Sequence, residues 1–114
     1  MAKSKYDYWF APKAESDLDE LLAHIEHKLF NPKAALDFAI ELFDKIDYYR
    51  VFPELGIKVD NEFVINKDLR KFFVGNYIAF YIPNKESRTI IIVRIVYGGR
   101  NVGEMLRTED FSGE

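Results

Sequence analysis

"LRKFFVGNYIAFYIPNKESRTIIIVRIVYGGRN", Leu69–Asn101, holds three apolar runs separated by two short polar links. The runs are Leu69–Val74, Tyr77–Pro83 and Thr89–Tyr97, rich in the β-branched and aromatic residues that suit strands. The links "GN" (75–76) and "NKESR" (84–88) are of hairpin length, so an antiparallel meander is expected. Period-two alternation puts Ile90, Ile92, Arg94 and Val96 on one face of the last run and Ile91, Val93, Ile95 and Tyr97 on the other. With both faces apolar, that strand belongs inside the sheet and is covered on both sides. Arg94 in its middle is costly unless it is paired or reaches a groove. An ion pair with an acid of a preceding helix is the structural expectation; contact with an anionic partner is the functional one. Gly98 and Gly99 then permit a sharp turn ahead of Arg100.

Upstream of the meander the periodicity changes. "KYDYWFAP" alternates Tyr6, Tyr8 and Phe10 against Asp7 and Trp9, a short strand stopped by Pro12. In residues 13–30, Ala14, Leu18, Leu21, Leu22, Ile25 and Leu29 recur at helical spacing, with acids clustered near the start. Asn31–Pro32 is a cap followed by a first-turn proline, which opens a second helix. Leu36, Ile40 and Phe43 form one stripe of it; Ala35, Phe38, Ala39, Leu42, Ile46 and Tyr49 form its neighbour. Together they predict a broad apolar face, buried more deeply than that of the first helix. "FPELG" ends the helix at Pro53 and Gly56. Residues 57–68 read as either a loop or a short extra hairpin. The expected order is β-α-α-β-β-β: an α+β fold with a helical hairpin packed on one face of a curved antiparallel sheet. Residues 1–114 are expected to form one domain, with 108–114 a frayed tail.

The chain has 114 residues, enough to bury roughly two-thirds of its unfolded surface. The absence of cysteine excludes disulfides, thiolate metal sites and a cysteine nucleophile. His24 and His27 lie on one helix without further ligands at metal spacing, so they read as surface residues, and no metal or cofactor is expected. The longest apolar run, Ile90–Val93, is too short to span a membrane, and the charged N-terminus lacks a signal-peptide core. A cytoplasmic protein without membrane attachment is expected. Charge is divided along the chain: residues 1–65 hold 8 basic and 13 acidic residues, net −5, and residues 66–107 hold 8 basic and 3 acidic, net +5. Arg70, Lys71, Arg94, Arg100 and Arg107 of the basic part are candidates for binding an anionic partner, with Tyr77, Tyr81 and Tyr97 as stacking faces. "GGR" itself is no phosphate loop, since the glycine spacing and the following Lys-Ser/Thr are missing.

The segment from Leu69 to Asn101 resembles the second half of the RelE/ParE superfamily of toxins from bacterial type II toxin–antitoxin modules. Leu69–Arg70–Lys71, the "GxYxxxY" run from Gly75 to Tyr81, and the stretch from Arg94 to Arg100 carry the resemblance, and the helical hairpin followed by "FPELG" extends it from about Tyr6 to Leu106. It implies growth inhibition relieved by a cognate small antitoxin, and a part in plasmid stabilisation. It also implies one of two targets. ParE-like members inhibit DNA gyrase. RelE-like members cleave mRNA on the ribosome without a metal, and for them Arg100, Arg70, Lys71 and Tyr97 would be the catalytic set. Ile78 and Leu106 stand where the ribonucleases carry an arginine and a tyrosine. That departure, with a net charge of −3, points to the gyrase type or to a weak or divergent ribonuclease, with a non-catalytic protein-binding module as a third alternative.

Overall fold

The computed structural model describes residues 5–59 and 68–99. Arg100, Arg107, most of the ambiguous 57–68 segment and the tail 108–114 lie outside them. Five strands form one sheet: β1 (Asp7–Phe10), β2 (Ile57–Lys58), β3 (Arg70–Val74), β4 (Tyr77–Asn84) and β5 (Thr89–Tyr97), in the order β1-β5-β4-β3-β2. The meander β3-β4-β5 is antiparallel as expected, turning first at Gly75, whose φ of 55° suits glycine. β2 adds two residues to the β3 edge, so the ambiguous segment opens with a strand pair. β1 departs from the all-antiparallel expectation. It lies parallel to β5, Asp7 opposite Thr89, because the chain returns through both helices before the sheet is built.

Helices α1 (Pro12–Ala23) and α2 (Pro32–Val51) cover one face. α1 starts on Pro12 and widens after Ala23 into a π turn, His24–Lys28, closed by a bond from the Leu29 N–H to the His24 carbonyl. The chain then reverses through Phe30 in the left-handed region, φ 51°. Asn31 caps α2 as read, its side-chain oxygen accepting the Ala34 N–H at 3.0 Å. Ala14 and Leu21 of α1 and Phe38, Leu42 and Ile46 of α2 pack on Phe72, Val74, Ala79, Tyr81, Ile90, Ile92 and Ile95 of the sheet. The broad apolar face expected for α2 is narrower than read. Only the stripe through Ala35, Phe38, Leu42 and Ile46 is buried, while Leu36, Ile40 and Phe43 face solvent.

The opposite face of the sheet carries a second buried cluster, Leu69, Ile78, Phe80, Ile82, Val93 and Val96, so β5 is covered on both sides as its composition implies. The predicted sharing of faces fails at one point. Phe80 pairs with Arg94 but Tyr81 pairs with Ile92, which leaves Val93 as an extra residue in β5. This β-bulge shifts the alternation by one, so Ile95 joins Ile90 and Ile92 on the helical side while Val96 joins Val93 on the other.

Candidate functional site

Arg94 sits in the bulge and is buried. Asp17 of α1 meets it there: Arg94 Nε donates to Asp17 Oδ2 at 2.6 Å and Nη2 to Oδ1 at 3.1 Å. The same Oδ2 accepts the Ile95 N–H at 3.0 Å. One carboxylate thus neutralises the buried cation and satisfies a backbone donor freed by the bulge. Of its two sequence expectations, Arg94 meets the structural one. With its side chain 6% exposed, it presents no guanidinium to a partner.

Arg70 is also engaged. Its Nη1 donates to the Glu54 carbonyl at 2.7 Å and to the Gly56 carbonyl at 3.2 Å, holding the loop after α2 against β3. Tyr81, fully buried, clamps the same loop: its hydroxyl donates to the Pro53 carbonyl at 2.8 Å and accepts the Gly56 N–H at 2.9 Å. Burial pushes the Tyr81 phenol up to about 12, against the opposing pull of the Gly56 bond. A Cβ at Gly56 would lie 2.2 Å from that hydroxyl, so glycine is required by the close approach. The second tyrosine of "GxYxxxY" and the glycine of "FPELG" are therefore two halves of one contact. Lys85 adds an exposed ion pair to Glu54 at 2.7 Å.

Lys71 follows Arg70, so it points to the other face of β3, where its ammonium lies 5.8 Å from the centre of the Phe73 ring. Tyr97 ends β5, more than half exposed, edge-on to Tyr77 at 5.7 Å. Through the register Tyr97–Tyr77–Val74, it stands four residues along the sheet from Arg70, on the order of 13 Å. The sheet therefore does not bring Arg70, Lys71, Arg94 and Tyr97 to a common point. Ile78 belongs to the second buried cluster, away from the helices.

At the Tyr97 end a cleft of about 680 Å³ opens between the sheet and the tip of the helical hairpin. Phe38, Tyr77 and Tyr97 supply aromatic walls, with Asp37, Glu41 and His24 also lining it. Gly98 closes the sheet here with an N–H bond to the Asn76 carbonyl at 2.8 Å. Gly99 lies beneath the Tyr97 ring, where a Cβ would come within 2.5 Å of it. The glycine pair thus seats an aromatic ring as well as turning the chain. In the sequence Phe38 is marked only as packing on the α2 face and Asp17 only as one of the acids near the start of α1, while Asp37 and Glu41 carry no signal of the cleft. The i,i+4 spacing of Asp37 and Glu41 marks a common helix face, but nothing in it points to Tyr97. Among the described residues, no group of three or more His, Asp or Glu is placed to hold a metal ion, and no helix is long and apolar enough to cross a membrane.

Residues 8–102 match the family model described as the ParE toxin of the type II toxin–antitoxin system, parDE. No curated protein matches the chain in sequence. Among solved structures it is similar to a chain of the chromosomal ParDE TA system from P. aeruginosa, with a TM-score of 0.63 and 19% identity over 82% of this chain and 96% of that one. A chain of the RelBE2 toxin–antitoxin complex from Mycobacterium tuberculosis superposes with a TM-score of 0.58 and 19% identity, covering 84% and 94%. One from the archaeal RelE–RelB complex of Pyrococcus horikoshii gives 0.53 and 23%, covering 85% and 99%. At these identities the likeness is one of fold.

Proposed function

The chain belongs to the ParE toxin family of type II toxin–antitoxin systems, and from that premise we propose that it arrests growth by inhibiting DNA gyrase until a cognate antitoxin covers it. The observation that carries the choice of target is how the sheet's cations are employed. Cleavage of mRNA without a metal asks for cations gathered around one phosphate. Here Arg94 neutralises Asp17, Arg70 holds loop carbonyls, and Lys71 lies on the other face of β3 from Arg70. A net charge of −3 also opposes docking into ribosomal RNA. In this reading the protein, one domain acting in the cytoplasm, works by binding and carries out no chemistry. Arg100 and Arg107 contact the target or the antitoxin.

The test is to add purified protein to a gyrase supercoiling assay and, in parallel, to reconstituted translation of a defined mRNA. Relaxed plasmid should accumulate while the mRNA stays whole. Undisturbed supercoiling with mRNA cut on the ribosome would replace gyrase by the ribosome as target. Arg100→Ala should weaken growth arrest with stability unchanged within about 0.5 kcal/mol; a fully toxic variant removes Arg100 from the contact. The product of the neighbouring small reading frame, co-expressed, should relieve arrest and co-purify; if it does neither, the antitoxin part of the reading fails.

A further inference from the structure

α2 turns a second apolar stripe to solvent. Leu36, Ile40 and Phe43 are 60%, 52% and 38% exposed. Their i, i+4, i+7 spacing stacks them in a row about 10 Å long. Tyr8 of β1, also exposed, continues the row, its ring centre 6.0 Å from that of Phe43. Phe10 lies at the same distance on Phe43 and supports it from within the fold. Leu36 and Ile40 take no part in the buried stripe that anchors the helix, Ala35, Phe38, Leu42 and Ile46, while Phe43 joins it to β1 through Phe10 and Tyr8. A contiguous apolar row of this kind marks an interaction surface.

The layer that carries the row is net acidic, although Arg50 stacks over the Tyr8 ring at 5.6 Å at one end of it. Residues 12–51, both helices and their connection, hold five basic and nine acidic residues, net −4. The described strand side, residues 57–59 and 68–99, holds six basic and two acidic, net +4. Lys33–Asp37, Lys45–Glu41 and Arg50–Asp47 are paired within α2. Glu15, Asp19, Glu20 and Asp44 have no cationic partner among the described residues.

We propose that the Leu36–Ile40–Phe43–Tyr8 row seats an amphipathic helix of a partner protein, with apolar residues along the row and lysine or arginine on its flanks. A straight row at helical spacing is what an amphipathic helix reads with its own i, i+3, i+4 and i+7 residues. A second copy meeting it face to face would set two net-acidic helical layers against each other, which like-charge repulsion disfavours. An acidic segment would be drawn to the strand side instead. The inference takes from the previous subsection only that this family works with protein partners; the surface and the sign of its partner's charge are additional.

Trp9, the single tryptophan, follows Tyr8 in β1 and so lies on the opposite face from the row, and binding is therefore read from a fluorophore on the peptide. The probes are two 18-residue helical peptides with the same leucine face, one with lysine flanks and one with glutamate flanks. In anisotropy titrations at low salt, the lysine peptide should bind at least tenfold tighter than the glutamate peptide, with the gap closing at high salt. The double variant Leu36→Ser/Ile40→Ser should melt like the parent and lose at least tenfold in affinity for the lysine peptide. Equal binding of both peptides, or undiminished binding by the double variant, overturns the proposal. So does a parent protein that sediments as a dimer and becomes monomeric in the double variant, which would make a second copy the occupant. Because the probe is a peptide, its failure leaves the antitoxin reading standing, and failure of the antitoxin to bind leaves the peptide result standing.

Discussion

Asp17 serves a buried side chain and a bulged backbone at once, and that double duty sets the cost of losing it. Asp17→Ala strands a guanidinium with 6% of its side chain exposed and orphans the Ile95 N–H. Loss of stability of about 3–5 kcal/mol is expected, measured by urea unfolding. Asp17→Leu combined with Arg94→Met should recover only part of it, since the desolvation cost disappears with both charges while the Ile95 N–H stays unpaired. The need for an acid near Arg94 was legible in the sequence, because unpaired buried charge is costly in any fold. Which acid was not, since Asp17 lies 77 residues away. Tyr81 offers a second test. Its phenol is raised from 10 to about 12, so the folded state holds the proton more tightly than the unfolded chain. The associated stability is complete below about pH 10 and is lost as pH rises towards 12. Alkaline unfolding should therefore steepen in that window for the parent. Tyr81→Phe should be less stable at neutral pH, having left the Gly56 N–H and Pro53 carbonyl unpaired, and should lack the alkaline step.

Within the elements, what was legible depended on whether one strip of residues competed with another. β3, β4 and β5 had hairpin links of the right length and no rival pairing, and they formed as read. α2 had two apolar stripes side by side, and hydrophobicity alone does not say which one the sheet will take; the stripe with alanines at Ala35 and Ala39 allows the closer approach. The Val93 bulge was invisible because its residues are as β-branched as their neighbours. The π turn and the left-handed Phe30 left no signal either, since glycine, not phenylalanine, advertises that conformation. Phe30 is 86% exposed, so its ring contributes little packing to offset the strain. Phe30→Gly should stabilise the protein by about 1 kcal/mol, seen as a higher urea midpoint with an unchanged slope. No gain would mean that the ring makes contacts worth as much as the strain.

At the scale of the whole molecule, the division into an acidic helical layer and a basic strand side was present in the running charge of the sequence. The assembly of its cations into a site was foreseen but does not occur among the described residues, because each arginine's role depends on contacts made across the fold. With no cysteine and two histidines one turn apart, function should not depend on a metal. Treatment with a chelator should leave both the melting temperature and growth arrest unchanged, and elemental analysis should find no stoichiometric transition metal. The parallel pairing of β1 with β5 has a consequence for how the protein is made. Asp7 leaves the ribosome early and Thr89 late, and the Arg94 that answers Asp17 later still. Folding from the N-terminus onward, the usual course for a nascent chain, is closed to this sheet: its first strand has no neighbour until its last is synthesised. Contacts so distant in sequence are slow to form. A round of synthesis interrupted before Thr89 therefore yields a chain that cannot close the sheet, since β1 pairs with β5 alone.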